Sequence, residues 1–407
     1  MSRFLLVAGF LSALGCARKE APPVVVNEPA PVIVEPHAAP DDGNIPPPRP
    51  VAVRSRAEAL TLGCDYLLAQ QSSDGAWRSD VYATFKDGTA LTPLALTALQ
   101  EAHDAGVRTP AIDATIKKGC AFLATFTKDG TVKPPADGFD YPLYTATLTL
   151  KAFSHPTAAD FAKHRAVWVK YLKERQLTEK LGWKPQEKEY GGWGYCRVIP
   201  QKPEPGTFAP NLIESNLSAT LFALDALRAA GETDAEVYRA AAVFVRRCQN
   251  ADGGFHFIYD DPTRNKAGVA NTDPPTFHSY GSTTADGLRA LALCGDPTDK
   301  DRLDAARKWL VENYRTDHHP GTYTAAYEPN RDAVYFYYAA SLSKAFRDHD
   351  PPPEYGRSWS TELGSALATR QAKDGSWTNP VELVRENDPI VATCSAVLAL
   401  ARCDRSK

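Results

Sequence analysis

One methionine, at position 1, is all that this chain of 407 residues carries, and its 8 cysteines never fall in the C-x-x-C spacing of zinc sites or dithiol redox motifs. No metal and no cofactor is therefore expected. Positive charge is not in excess: 46 Lys and Arg against 49 Asp and Glu leave a net charge of -3, which offers nucleic acid no basic footprint. No apolar run reaches the roughly 20 residues needed to span a bilayer as a helix, and the opening one, from Phe4 to Leu14, stops well short. From Ala17 to Pro50 there is not one aromatic residue.

The first 16 residues combine a short charged start, the apolar stretch to Leu14 and a small-residue end, the layout of an export signal. Ala13-Leu14-Gly15-Cys16 resembles a bacterial lipobox, which makes Cys16 the expected lipidation site and the protein an exported lipoprotein facing the periplasm or cell exterior. An ordinary secretory signal is the alternative, because Ala13 stands where Leu is usual. Residues 17–53, rich in Pro and Ala, bury too little apolar surface to fold and read as an extended linker. The remaining residues, 54–407, are expected to form one domain. Most of its seven cysteines are expected as small buried hydrophobes, although an exported protein can form disulfides and the spacing leaves their pairing open.

Within that domain one sentence recurs six times. The first copy is Gly63-x-x-Tyr66-Leu67-x-x-x-Gln71 followed by Gly75-x-Trp77, nearly a complete QW motif. Later copies lose letters but keep the frame: Gly119, Phe122, Leu123, Thr127, Gly130 and Val132; then Tyr171, Leu172, Gln176 and Gly192-Trp193. The fourth runs Phe244 to Gln249 and Gly253-Gly254-Phe255, the fifth Trp309 to Tyr314 and Gly321-Thr322-Tyr323, the sixth Leu367 to Gln371 and Gly375-Ser376-Trp377. A repeat of that length means one supersecondary unit stacked on its neighbours.

Each frame ends an amphipathic helix, with Gly as its left-handed cap. Each is followed by a stretch apolar on all sides, as in Leu91 to Ala102, Leu217 to Ala230 and Ile390 to Ala401. A helix without a polar face must be enclosed. Six enclosed helices inside six amphipathic ones predict an all-α, (α/α)6 toroid. Thr92, Thr220, Thr284 and Thr393, with Thr145 or Thr147, fall in one column near the inner-helix starts, where a Thr side chain can cap backbone N–H groups.

On these residues the chain resembles the α/α-toroid superfamily that contains squalene-type cyclases and protein prenyltransferase β subunits. The resemblance implies a cavity near the N-terminal ends of the inner helices and an apolar, isoprenoid-like ligand. Two reactive centres of those relatives are missing. There is no Asp-x-Asp-Asp acid, and Asp260 and Asp261 lie in turn chemistry. Where a prenyltransferase-like zinc site would have Asp-x-Tyr-His, this chain reads Asp332-Ala333-Val334-Tyr335, and His318 and His319 fall in a connecting turn.

Polar residues near the expected inner-helix starts are the site candidates: Asp286, Asp332 and Glu214 as acids or bases, and Trp193, Tyr195, Asn211, Asn216, Tyr280, Ser282, Thr283, Tyr335 and Asp388 as ligand contacts. Competing structural readings exist for the acids. Asn211-x-x-Glu214 and Thr283-x-x-Asp286 fit capping boxes, and Asp388 before Pro389 fits an N-cap. Three functions follow: an enzyme acting on an isoprenoid or other lipid, a non-catalytic domain binding a ligand or protein partner while held to a membrane by its anchor, and a carbohydrate-active α/α barrel using Glu214 and Asp286.

Overall fold

The computed structural model describes residues 54–404 apart from 260, 262–263, 271–275 and 352–357. The export signal, Cys16, the linker and Asp260 lie outside the described residues. Among the described residues twelve α-helices alternate between two layers. The outer layer holds α1 (Arg56–Ala69), α3 (Pro110–Ala124), α5 (Arg165–Lys173), α7 (Ala235–Arg247), α9 (Lys300–Glu312) and α11 (Trp359–Thr369). The inner layer holds α2 (Leu91–Asp104), α4 (Pro142–Ser154), α6 (Leu217–Ala229), α8 (Gly281–Cys294), α10 (Tyr335–Asp348) and α12 (Pro389–Asp404).

Each inner helix packs on the next, and α12 packs on α2, so the inner layer is a closed ring. Composition explains the layering. In α2, 11 of 14 residues are buried, from Leu91 through Ala102, whereas α3 buries only Ile112, Ile116, Gly119, Cys120 and Leu123 of its 15. Apolar area removed from water at about 25 cal/mol per Å² is the main force holding such a helix inside. Among the described residues the seven cysteines are buried and form no disulfide, in keeping with small hydrophobes.

The recurring frame proves to be a set of clamps. Gln71 Nε2 donates to the carbonyl of Gly75 at 3.0 Å and to that of Thr115 on the next outer helix at 2.9 Å. Gln176 does the same for Gly191 and Val237, and Gln249 for Gly253 and Arg302. Gln371 binds Gly375 and, across the chain's two ends, Ala59 of α1. Where the glutamine is lost the job survives: Tyr314 Oη donates to the carbonyl of Trp359 at 2.9 Å, and Thr127 Oγ1 bonds His164 beside α5.

Two local expectations need correction. The glycines of the frame do not cap the outer helices, whose C-cap residues, such as Gln70 and Arg370, stay right-handed. They sit in the following turn: Gly191 has φ +92°, and a Cβ there would lie 1.8 Å from the Ala240 carbonyl oxygen of the next outer helix. The Thr column does not cap its own helices either. Thr92, Thr220, Thr284 and Thr393 accept the backbone N–H of Trp77, Trp193, Phe255 and Trp377 at 3.0 to 3.2 Å, tying each aromatic turn to an inner helix.

The Gln371 clamp closes the ring, so its removal should be felt globally. Gln371→Ala is expected to lower the unfolding free energy by about 2–3 kcal/mol, the two clamp bonds and the one accepted from Arg54 at roughly 1 each, as read by urea denaturation. The exposed Thr369→Ala should change it by less than about 0.5 kcal/mol; equal midpoints for the two variants would contradict the clamp.

Candidate functional site

At the N-terminal ends of the inner helices the long connections fold over the ring. Glu386, fully buried, accepts the backbone N–H groups of Phe336 and Tyr337 at 3.0 and 2.7 Å and the Asn379 amide at 2.9 Å. It thereby serves as the missing cap of α10, whose own N-cap residue Val334 has no side chain to offer. Burial pushes the Glu386 carboxyl up to about 7. Lys266 is buried beside this network with no hydrogen-bond acceptor for Nζ among the described residues, and burial pulls it down to about 7 against the attraction of Glu386.

His319 is fully buried and its Nε2 accepts the Ser282 N–H at 2.9 Å, so the ring proton belongs on Nδ1, which faces the Arg331 carbonyl and the Tyr323 hydroxyl. Burial pulls this imidazole down to about 3, so it is neutral. Asp332 accepts the His319 N–H at 2.7 Å and lies in a 3-10 segment before α10, not on the inner helix itself. Tyr335 donates to the Thr316 carbonyl under the Arg370 guanidinium. Tyr280 stands edge-on to His319, 5.7 Å between ring centres.

The remaining candidates are spread out. Trp193 is fully buried, its indole bound to the Leu172 carbonyl. Tyr195 stacks on Tyr144 with their hydroxyls 2.7 Å apart. Asn216 is the N-cap of α6, accepting the Ala219 N–H, which displaces the expected Asn211–Glu214 capping box. Asn211 is exposed, and Glu214 pairs with Arg264 at 3.2 Å. The second expected box also fails, because Thr283 lies inside α8 and donates to the Phe255 carbonyl. Asp388 does act as an N-cap, accepting the Ile390 and Val391 N–H groups.

Asp286 is different. It is fully buried on the ring's interior face and accepts three hydroxyls: Ser218 at 3.0 Å, Tyr337 at 2.6 Å, and Ser341. Burial raises its pKa, opposed by Arg289 and by those hydroxyls. It braces α6, α8 and α10 against one another.

Toward the C-terminal ends every inner helix contributes a charge. Lys151 of α4 meets Asp225 of α6 at 2.6 Å, and Arg289 of α8 reaches Asp225 at 3.5 Å and Asp286 at 3.9 Å. Arg347 of α10 and Arg402 of α12 both meet Glu101 of α2 at 3.2 Å, and Lys344 pairs with Asp348 at 2.7 Å. Burial opposes the charge on Glu101, yet Arg402, Lys151 and Arg347 outweigh it and hold the carboxyl well below the usual range. A chamber of about 60 Å³ lies on the axis here, lined among others by Tyr337, Ser341, Lys151, Asp225, Arg289 and Arg402.

The sequence reading missed Glu386, Lys266 and this charged ring. A signal for the ring was available: at least one charge in the later half of each otherwise apolar helix. Glu386 carried none, since it caps a helix 50 residues earlier in the chain.

No protein-family model matches the chain, and no curated protein is similar to it. Solved structures are. A variant of the type II terpene cyclase MstE from Scytonema, in complex with its substrate geranylgeranyl dihydroxybenzoate, superposes with a TM-score of 0.54 at 13% identity, covering 86% of this chain and 97% of that one. An unsaturated glucuronyl hydrolase specific for heparin gives 0.56 at 13% identity over 85% and 95%, and a protein from Actinoplanes 0.52 at 15% over 86% and 99%. At such identities the likeness is one of fold, and the fold is that of the α/α toroids.

The raised Glu386 pKa has a testable sign. A carboxyl whose folded-state pKa lies above its ordinary value binds its proton more tightly when folded, so stability falls as pH rises from about 4.5 to about 7. Glu386→Gln removes that slope. Its urea midpoint relative to the unaltered protein is expected to climb between pH 5 and pH 7.5, and parallel midpoints would contradict it.

Proposed function

We propose that this chain is a non-catalytic, ring-shaped binding domain, exported and held at a membrane through lipidated Cys16, and not a lipid cyclase. The observation that supports this most is the state of the ring's interior. The axial chamber of about 60 Å³ is several times smaller than the roughly 300 Å³ at which small-molecule pockets begin, and four charged residues, Lys151, Asp225, Arg289 and Arg402, share its wall with Leu94, Leu148, Leu221, Phe222 and Leu398. An isoprenoid such as the substrate of MstE does not have the room it needs there.

The acids support the same reading. Asp286 is spent on three hydroxyls, Asp332 on a backbone N–H, Asp388 on a helix cap and Glu214 on Arg264. A general acid or base needs a substrate proton within hydrogen-bond reach, and a fully enclosed Asp286 offers no approach. For the same reason the pairing of Glu214 with Asp286 in a glycosidase-like groove is less well supported.

Mass spectrometry of lipids retained by the purified protein tests this, with Asp286→Asn and Asp332→Asn beside the unaltered chain. No isoprenoid is expected in any of the three. An isoprenoid retained by the unaltered protein and lost from Asp286→Asn would overturn the reading. Intact-mass analysis of the membrane fraction should find diacylated Cys16, absent after Cys16→Ser.

A further inference from the structure

The charged ring holds more positive than negative charge. Lys151, Arg289, Lys344, Arg347 and Arg402 make five cations, and Glu101, Asp225, Asp286 and Asp348 make four carboxylates. The surplus is one charge when Asp286 is ionised and two when it holds its proton. The carbonyl ends of the inner helices take up part of it. They do not reach all of it: Arg402 is only 5% exposed, lines the chamber, and its Nε–H has no acceptor among the described residues. A buried guanidinium N–H without a partner is expensive, and native proteins seldom leave one.

Chamber size narrows what could supply the acceptor. One water needs roughly 10–15 Å³ by this kind of measure, so about 60 Å³ holds about four to six water-sized atoms. That is the size of a tetrahedral oxyanion or a small carboxylate. The Lys151 and Asp225 side chains, 23% and 20% exposed, face this space from the later turns of α4 and α6. A hydroxyl donor is at hand in Ser395, which lines the same chamber, whereas the Tyr337 and Ser341 hydroxyls already donate to Asp286. Cationic groups, a neutral donor and an enclosed volume of matching size are what recognition of a small anion requires.

We propose that the C-terminal mouth of the ring is a binding site for a small, doubly charged oxyanion, seated on the axis between Arg289 and Arg402. This gives the binding-domain reading its ligand class and rests on it. Repulsion among the cations agrees with the site's need: burial and the neighbouring Lys151 pull Lys344 down to about 8, and an anion on the axis would relieve that pressure.

The test is isothermal titration calorimetry of the full chain with sodium phosphate, and separately with sodium oxalate, at constant ionic strength in chloride. One-to-one, saturable binding of at least one of the two dianions is expected, and which one binds distinguishes a phosphate-like from a carboxylate ligand. Arg289→Gln, at the chamber wall, should weaken it by at least about tenfold, and Lys344→Met, which acts from behind the wall by charge alone, by about threefold. Lys344→Met loses the pair with Asp348 but also relieves repulsion from Lys151, Arg347 and Arg402, and is expected to fold, so the test survives if Arg289→Gln does not. Lys308→Gln, on the exposed side of α9, should leave binding unchanged. No saturable heat with either anion, or unchanged binding by Lys344→Met, would overturn the proposal. Retained isoprenoid would instead sink the binding-domain reading, so the two failures are told apart on the same protein.

Discussion

The rest of the structure depends on one interaction, a side-chain amide that donates to two backbone carbonyls at once. One carbonyl belongs to the glycine of its own turn, the other to the next outer helix. Carbonyls on a helix exterior keep a lone pair after their i to i+4 bond, so the clamp takes nothing from the helix it grips. It fixes the distance between adjacent outer helices and, through the aromatic that follows, the depth at which each turn meets the inner layer. The last link, from Gln371 to Ala59, turns a solenoid into a ring. Open repeat arrays need special capping repeats at their ends; here the two ends cap each other.

Closure has consequences for the interior. Inner helices buried on every side leave no solvent for polar groups that face the axis, and each must find a partner inside the ring. Asp286 does so through three hydroxyls from two neighbouring helices, α6 and α10. The longer charges gather toward the C-terminal ends, where helix carbonyls favour cations and where water can reach them. At the opposite end the connections supply the partners, and Glu386 caps a helix that has no cap of its own. The candidate acids of the sequence are thus used up in holding the ring together, while the surplus of charge at the other end is left for a ligand.

Architecture was legible in the sequence because its signals are local and periodic. The inner-helix stretch expected from Leu91 to Ala102 is α2, Leu91–Asp104, and that from Leu217 to Ala230 is α6, Leu217–Ala229. The site was less legible because its partners are distant in sequence. Thr283-x-x-Asp286 matches a capping box by spacing alone, but the true N-terminus of α8 is set by the Gly281–Pro320 and Ser282–His319 contacts with the next connection. The glycines were assigned to helix ends for the same reason: positive φ is predictable from residue type, whereas the approach of Ala240 to Gly191 is a tertiary fact. Thr92 and its counterparts were found as a column, yet their partners, the N–H groups of the aromatic turns, needed the ring to be seen.

If the clamps close the ring, stability should be shared around it. Native-state hydrogen exchange at low denaturant is the direct measurement, since it reports the opening free energy of each helix separately. The slowest amides of α1 and α12, which flank the closure, are predicted to exchange with the same free energy and denaturant slope as those of α6 and α8 on the far side. Graded protection, highest in α6 and α8 and falling toward both chain ends, would mean an open array whose ends only touch, and would contradict the account.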